Sequence, residues 1–179
     1  MIFTVRFFLW LVICSTVLAR CNSNEGHKRT SQIIQKLCNL GEIRPVRCSS
    51  VAESMIVQFP KLPKKESKRL LVLGVSFRLA FNFFMRNSTA PEWNSMQLRQ
   101  LRELLFQQSQ FYKSCIKFAI RTSAHDEVKK WKAFWTNLDH FLSEESFSSC
   151  AWESARPVIQ HVMFTSSKPT SRSQRIRRC

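Results

Sequence analysis

The scarcity of glycine is the sequence feature that most restricts what this chain can fold into. Only three of its 179 residues are glycine. Phosphate-binding loops, dinucleotide-binding turns and tight hairpins need glycine where the backbone takes a positive φ or approaches a ligand closely. Nucleotide-binding α/β folds and turn-rich all-β folds are therefore disfavoured. Since 44% of the residues are hydrophobic, the chain is not intrinsically disordered either, and a helical protein with a real core remains.

The N-terminal segment has the pattern of a secretory signal peptide. Arg6 precedes an uncharged apolar run from Phe7 to Leu18, and the small residue Ala19 follows at the cleavage position. This run is too short to span a membrane, which takes roughly 20 apolar residues. We therefore predict a signal peptide over residues 1–19 and a secreted, extracellular product without stable membrane insertion.

The net charge of +16 is the second marked feature. Such an excess is typical of nucleic-acid-binding proteins. A secreted product has no nuclear or ribosomal role, however, and the chain contains no nucleic-acid recognition motif. We therefore expect no nucleic-acid partner.

Six cysteines remain after the predicted cleavage: Cys21, Cys38, Cys48, Cys115, Cys150 and Cys179. An even number in an oxidising route indicates a disulfide framework. Six cysteines permit fifteen pairings, and their pattern alone does not choose among them. No C-x-x-C is present and the histidines lack ligand spacing, so we expect no metal and no cofactor.

Apolar residues recur at helical spacing in five segments. The predicted helices cover about 29–40, 66–86 and 92–119, then one that opens at a capping box Ser123-x-x-Asp126 and one that begins near Ser148 or Ser149. Their apolar stripes are more simply core faces than ligand sites. Pro157 lies inside the last helix, so either that helix kinks there or its register differs.

The long segment between the first two predicted helices indicates the topology. Residues 42–65 contain three prolines, and their length lets two neighbouring helices run parallel, whereas antiparallel neighbours need only short loops. The prediction is an all-α, up-up-down-down helical cytokine bundle of five helices with a long overhand loop. It occupies residues 20–165, and the Ser-, Arg- and Lys-rich segment 166–179 is predicted to be a basic, flexible C-terminal tail.

Two local patterns bear on surface chemistry. Asn87-Ser88-Thr89 is an N-glycosylation acceptor in a predicted loop. The Glu144-Glu145 pair is a carboxylate pair, which we interpret as solvated charge beside a helix. No G-x-S-x-G, H-E-x-x-H or glycine-rich phosphate loop occurs in the sequence, so the chain is predicted not to be an enzyme.

One segment carries a family resemblance. Residues 147–153, Phe-Ser-Ser-Cys-Ala-Trp-Glu, are followed by Arg156. This run resembles the opening of the last helix of type I interferons, in which Cys-Ala-Trp-Glu is a signature. The spacing of Trp93 before Cys115, the Phe-Gln-Gln run at 106–108 and the Phe-Pro pair at 59–60 are also similar to that family. The resemblance extends from Cys21 to about Val162.

The resemblance implies the disulfides Cys21–Cys115 and Cys48–Cys150, and it leaves Cys38 and Cys179 to form a third bridge, to pair between chains or to stay reduced. It also implies a secreted antiviral cytokine. Such a protein binds and brings together a two-chain class II cytokine receptor, and so triggers receptor-associated kinases and antiviral gene expression.

In that family the high-affinity receptor chain contacts the first helix, the long loop and the last helix, and the second chain contacts the three helices between. On this basis Arg156 and His161 are implied contacts for the high-affinity chain, and Lys132 for the second chain. Residues 49–52 do not match the family's loop contacts.

A competing hypothesis makes the positive charge the functional feature. The protein would be a cationic secreted effector that binds glycosaminoglycans such as heparan sulfate, or microbial membranes, through its basic surface and tail. The tail contributes Arg172, Arg175, Arg177 and Arg178. Its only apolar anchor is Ile176, so the tail is not an amphipathic helix, and the interferon-type function is preferred.

Overall fold

The structure, a computed structural model, describes residues 24–41, 48, 59–86, 93–116 and 124–167. Five helices and no strand occur within these ranges. They are α1 (Asn24–Cys38), α2 (Glu66–Met85), α3 (Ser95–Ile116), α4 (His125–Glu144) and α5 (Ser149–Ser167). The predicted signal peptide, the glycosylation site Asn87 and the tail beyond residue 167 lie outside the described residues. None of the five helices is both long and apolar enough to cross a membrane.

Contacts between α1, α2 and α3 fix the relative directions of these helices. Lys36, near the end of α1, donates hydrogen bonds to Gln97 and Gln100, near the start of α3 (3.0 and 2.6 Å). Since Arg29, earlier in α1, reaches Gln108, farther along α3 (3.2 Å), the two helices run antiparallel. Helix α2 is also antiparallel to α3. Near its middle Phe77 packs on Tyr112 (ring centroids 5.5 Å apart), and at its end the Phe84 carbonyl accepts a hydrogen bond from Arg102.

The fourth and fifth helices complete the bundle. Helix α4 runs parallel to α2, because Lys68 pairs with Glu127 near both helix starts and Arg86 pairs with Asp139 farther along. A short turn then reverses the chain into α5, which packs against α1 and α4. Helices α1, α2, α3 and α5 therefore form an up-up-down-down bundle with α4 inserted, as the sequence predicted.

The turn between α4 and α5 is a Schellman motif. Ser146 and Phe147 both have positive φ (51° and 53°). The N–H of Phe147 donates to the carbonyl of Leu142, and that of Ser146 to the carbonyl of Ser143 (2.7 and 3.0 Å). These bonds satisfy carbonyls that the end of α4 would otherwise leave without partners.

Two predicted helix details need correction. Helix α4 begins at His125, and its N-cap is Ala124, which makes no side-chain capping bond. The predicted capping box therefore does not start this helix; Asp126 instead lies in the first turn, where negative charge is favourable near the helix N-terminus. Helix α1 begins at Asn24, five residues before the predicted start. Helix α5, in contrast, continues through Pro157 from Ser149 to Ser167.

The predicted apolar stripes form the core, with Cys38, Phe81 and Val128 half-buried at its edge. The largest apolar side chains with almost no solvent exposure come from all five helices: Ile33, Leu37, Phe77, Phe84, Leu101, Leu105, Trp131, Leu138, Leu142, Ile159 and Met163. The core thus continues through the whole bundle.

Gly74 permits a close approach between α2 and α3. A Cβ at this position would lie 2.5 Å from Cδ1 of Ile116 and 3.2 Å from Cβ of Tyr112. The second contact is to an atom fixed by the α3 backbone, so it cannot be relieved by a rotamer change. The absence of a side chain here sets the distance between the two helices.

We expect Gly74→Val to destabilise the protein by about 1–3 kcal/mol, because the added methyl groups overpack this contact. Thermal unfolding measures the change. Arg78→Val on the exposed side of the same helix is the control, since it adds the same β-branched side chain without the contact. Because valine has a higher helix propensity than glycine, a Gly74→Val protein as stable as the parent, or more stable, would show that the α2–α3 contact accommodates a side chain.

A buried polar cluster joins the first half of α1 to the second half of α3. The Gln108 amide, which is fully buried, donates to the carbonyl of Gly26 and to Oγ1 of Thr30 (3.0 and 3.1 Å). Gln108 also hydrogen-bonds to Tyr112. Burial of the phenol raises the pKa of Tyr112 to about 12, because it outweighs the lowering of this pKa by the Gln108 bond and by the nearby arginines.

Tyr112 is the only tyrosine in the chain, so tyrosinate absorbance reports this one group. In the folded protein the pKa of Tyr112 should be about 12, against the ordinary tyrosine value of 10.0. Because folding disfavours the ionised phenol, its contribution to stability is complete below pH 10 and is lost as the pH rises toward 12. The protein unfolded in urea provides the reference. A folded-state titration that coincides with that reference would contradict the burial of Tyr112.

Candidate interaction surface

The signature segment begins α5 with a covalent bond and a cap. Cys150 is bonded to Cys48 (S–S 2.07 Å), which is the pair that the resemblance implied. The hydroxyl of Ser148 accepts a hydrogen bond from the N–H of Ala151 (3.2 Å), so a serine caps the helix near its predicted start. These two features hold the first turn of α5 against the long loop.

Trp152 joins α5 to the helix ends around it. Its ring lies 5.3 Å from Phe83 and 6.1 Å from Phe84, both at the end of α2. The ring of Trp93, just before α3, is 5.1 Å away. Aromatic pairs at these separations add to the stability gained by burial alone.

Glu153 is a buried carboxylate with both oxygens bonded. Oε1 accepts a hydrogen bond from Nε1 of Trp93 (2.7 Å), and Oε2 accepts from Nε and Nη2 of Arg156 (2.9 and 2.5 Å). Gly41 faces this carboxylate, and a Cβ on it would collide with Oε1 and lie 3.1 Å from the Trp93 ring. The bonds compensate for burial of the charge.

Arg156 extends the same network to α1. Its Nη1 donates to the carbonyls of Leu37 and Cys38 (3.2 and 3.3 Å), in the last turn of that helix. The final carbonyls of a helix have no partner within it, and a positive charge is favourable there. The Trp93–Glu153–Arg156 network therefore ties α5 to the end of α1 and to the segment before α3.

This geometry corrects the predicted role of Arg156. Its side chain is only 4% exposed, and its guanidinium is directed into the bundle. A side chain in this position is not available to a partner protein. Arg156 is a structural residue, and the sequence alone did not distinguish these roles because an arginine in an amphipathic helix is usually solvated.

His161, the second predicted contact, lies on the exposed face of α5. Its ring makes an edge contact with Phe59 (centroids 4.7 Å apart), and Phe59 lies 6.3 Å from Phe134 of α4. Phe59 is 47% exposed, which is unusual for a residue of this size. The sequence did not identify Phe59 as part of a surface, although the Phe-Pro pair at 59–60 contributes to the family resemblance.

Lys132, the third predicted contact, is exposed on α4. It lies seven residues before Asp139, so both occupy the flank of α4 that faces α2, where Asp139 pairs with Arg86. His161 and Lys132 are therefore on different sides of the bundle and do not form one site.

The remaining predicted cysteine pair involves a residue outside the described part of the chain. Cys115 is disulfide-bonded, and so is Cys38, which rules out a reduced Cys38. Since Cys21 is not described, the Cys21–Cys115 pairing stays a prediction, and so does the glycan at Asn87.

Comparison with known proteins agrees with this architecture. The interferon alpha/beta domain family matches residues 23–173, which is most of the chain. This chain belongs to the interferon alpha/beta family. It is 23% identical to human interferon kappa, over 89% of this chain and 88% of that protein. It is 21% identical to human interferon alpha-14, over 88% and 87% respectively.

The fold is also similar to a solved interferon. Zebrafish interferon 2 superimposes with a TM-score of 0.70 at 20% identity, covering 80% of this chain and 97% of the zebrafish chain. The resemblance and the helical cytokine fold expected from the sequence are thus confirmed. Interferons are cytokines and not enzymes; members of the family are secreted and bind a class II cytokine receptor.

The buried network yields a stability prediction. Arg156→Met keeps the length of the side chain but leaves Glu153 buried without its cation, so we expect a loss of about 3–5 kcal/mol in urea unfolding with disulfides intact. The double variant Glu153→Gln with Arg156→Met should lose less stability than the two single variants together. The difference should be about 0.5–3 kcal/mol.

The control is Arg78→Met, an exposed arginine on α2, which should change the free energy of unfolding by no more than about 0.5 kcal/mol. Additive effects of the Glu153 and Arg156 substitutions would show that the two side chains do not interact.

Proposed function

We propose that this interferon is secreted after removal of residues 1–19, carries a glycan at Asn87 and brings together the two chains of a class II cytokine receptor. Dimerisation of the receptor then activates its associated kinases and antiviral gene expression. The proposal rests on family membership together with the order of the helices around the bundle.

The order of the helices supports two separate binding faces. Neighbouring helices around the bundle follow the sequence α1, α3, α2, α4, α5 and back to α1. Helices α1 and α5 therefore form one side, and α3, α2 and α4 form the other. Two receptor chains can approach these sides simultaneously without competing for the same helix pair.

His161 of α5 and Phe59 form an exposed aromatic surface that is supported by Phe134 of α4. Aromatic side chains contribute strongly to interfaces because they bury a large area with few rotatable bonds. We assign the high-affinity receptor chain to this surface. Arg156 serves the same interface indirectly, since it fixes the end of α1 against α5.

On the opposite side, Lys132 presents an exposed ammonium group beside the α2–α4 contact. We assign this side to the second receptor chain. A lysine at the rim of an interface acts mainly on the association rate and on selectivity for an acidic partner.

The test separates the two faces by measuring each receptor chain alone. His161→Ala should weaken binding of the high-affinity chain roughly 5- to 30-fold, equivalent to about 1–2 kcal/mol, and leave the second chain unchanged. Lys132→Glu should weaken binding of the second chain and leave the high-affinity chain unchanged. Both variants should lower induction of an antiviral reporter in cells of the protein's own species.

Lys130→Glu is the matched control, since Lys130 is exposed on the same helix but lies on the other flank. It should leave reporter induction intact. A folded, disulfide-bonded protein that gives no receptor-dependent response at nanomolar concentration would refute the proposed function.

A further inference from the structure

One end of the bundle concentrates positive charge. Helices α2 and α4 run parallel, and the bond between Nζ of Lys68 and Oε1 of Glu127 (3.0 Å) places their first turns side by side. The N-termini of two helices therefore lie together, and each contributes a partial positive charge. Segments 61–69 and 125–132 contain eight basic residues against three acidic ones.

Most of these cations are presented to solvent. Six lysines, which we call the basic end, are exposed: Lys61, Lys64, Lys65, Lys129, Lys130 and Lys132. In the described ranges, none of the six ammonium groups forms a side-chain hydrogen bond or an ion pair. Lys65 precedes Lys68 by about one helical turn, and Lys130 follows Glu127 by about one turn, so both lie close to the bonded pair.

At the opposite end of the bundle, three basic side chains are bonded within the protein, and Arg99 is exposed without a side-chain bond to another described residue. Arg86 pairs with Asp139, Arg102 donates to the Phe84 carbonyl, and Lys36 is held by Gln97 and Gln100. The positive charge available to a partner is therefore unevenly distributed along the bundle axis.

The pKa of Glu127 reflects the positive electrostatic potential at the basic end. The pKa of this carboxyl is lowered, first by a hydrogen bond from the backbone and then by the bond to Lys68, with Lys130 adding to the effect. A carboxylate next to the basic end is thus stabilised in its charged form, as an incoming anionic group would be.

We propose that the basic end binds a sulfated polysaccharide. A polyanion with closely spaced sulfates matches a cluster of lysines on two adjacent helix starts, since each ammonium group can bond a different sulfate. The site lies on the folded bundle and includes no residue of the C-terminal tail; Lys61, two residues after Phe59, places its edge next to the aromatic surface of Phe59 and His161.

The composition of the patch favours this partner over two other polyanions. The large hydrophobic side chains that the described bundle exposes are Phe59, Met85, Met96 and Phe106, and none belongs to segments 61–69 or 125–132. A membrane-binding surface would need apolar side chains among the lysines. Trp131, the only Phe, Tyr or Trp in these segments, is buried, so no ring is presented for stacking on nucleic-acid bases.

The test compares two pairs of charge reversals in the full secreted chain. Lys65→Glu with Lys130→Glu alters the basic end, and Arg78→Glu with Arg99→Glu alters two exposed arginines elsewhere on α2 and α3. Both change the net charge equally. Binding to heparin, measured by surface plasmon resonance over a salt series, should fall roughly tenfold or more in the first variant and clearly less in the second. Reporter induction should persist in the first variant, since Lys132 is retained.

Several results would overturn the proposal. Equal losses in the two variants would mean that net charge, and no particular surface, determines binding. Undiminished binding to fully desulfated heparin would exclude sulfate recognition. Deletion of residues 168–179 should leave most of the binding intact; complete loss would assign it to the tail. Tighter binding to phosphatidylserine vesicles than to heparin would identify a membrane as the partner.

Discussion

The buried ion pair between Glu153 and Arg156 is the interaction on which the arrangement of the helices depends. Through Trp93 it reaches the segment before α3, and through the carbonyls of Leu37 and Cys38 it reaches the end of α1. Two charges in a protein interior are tolerated only when every bond is made, so the network admits little variation in how these elements meet. The Cys48–Cys150 bond adds the long loop to the same corner.

This arrangement gives the Cys-Ala-Trp-Glu signature a structural explanation. The cysteine makes the disulfide and the alanine is fully buried. The tryptophan packs in an aromatic cluster, and the glutamate accepts hydrogen bonds from Trp93 and Arg156. The segment identifies the family because its residues assemble one end of the bundle. The proposed receptor contacts lie elsewhere, on exposed side chains such as His161 and Lys132 that the core leaves unconstrained.

The two ends of the bundle carry different chemistry. In the described residues, one end bonds Lys36, Arg86 and Arg102 internally, and the other presents six lysines to solvent. The +16 charge of the chain is therefore not a uniform property of its surface. A polysaccharide at the basic end would lie beside the second receptor chain, whose proposed surface shares Lys132 with it, and this proximity can couple retention at the cell surface to signalling.

The sequence alone determined the helical fold, the approximate positions of the helices and most of the core residues, because glycine scarcity and apolar periodicity are local properties; Phe83, Phe134 and Met163 are core residues that it missed. The overhand loop also predicted that α1 and α2 run parallel. The N-cap of α4 lies one residue after the predicted one, at Ala124, where no side-chain capping bond forms. Only the tertiary structure decided the role of Arg156. Its spacing from Trp152 and Ile159 places Arg156 on the core face of α5, but its bonding partners at Leu37 and Cys38 are more than a hundred residues away, and no local pattern identifies them.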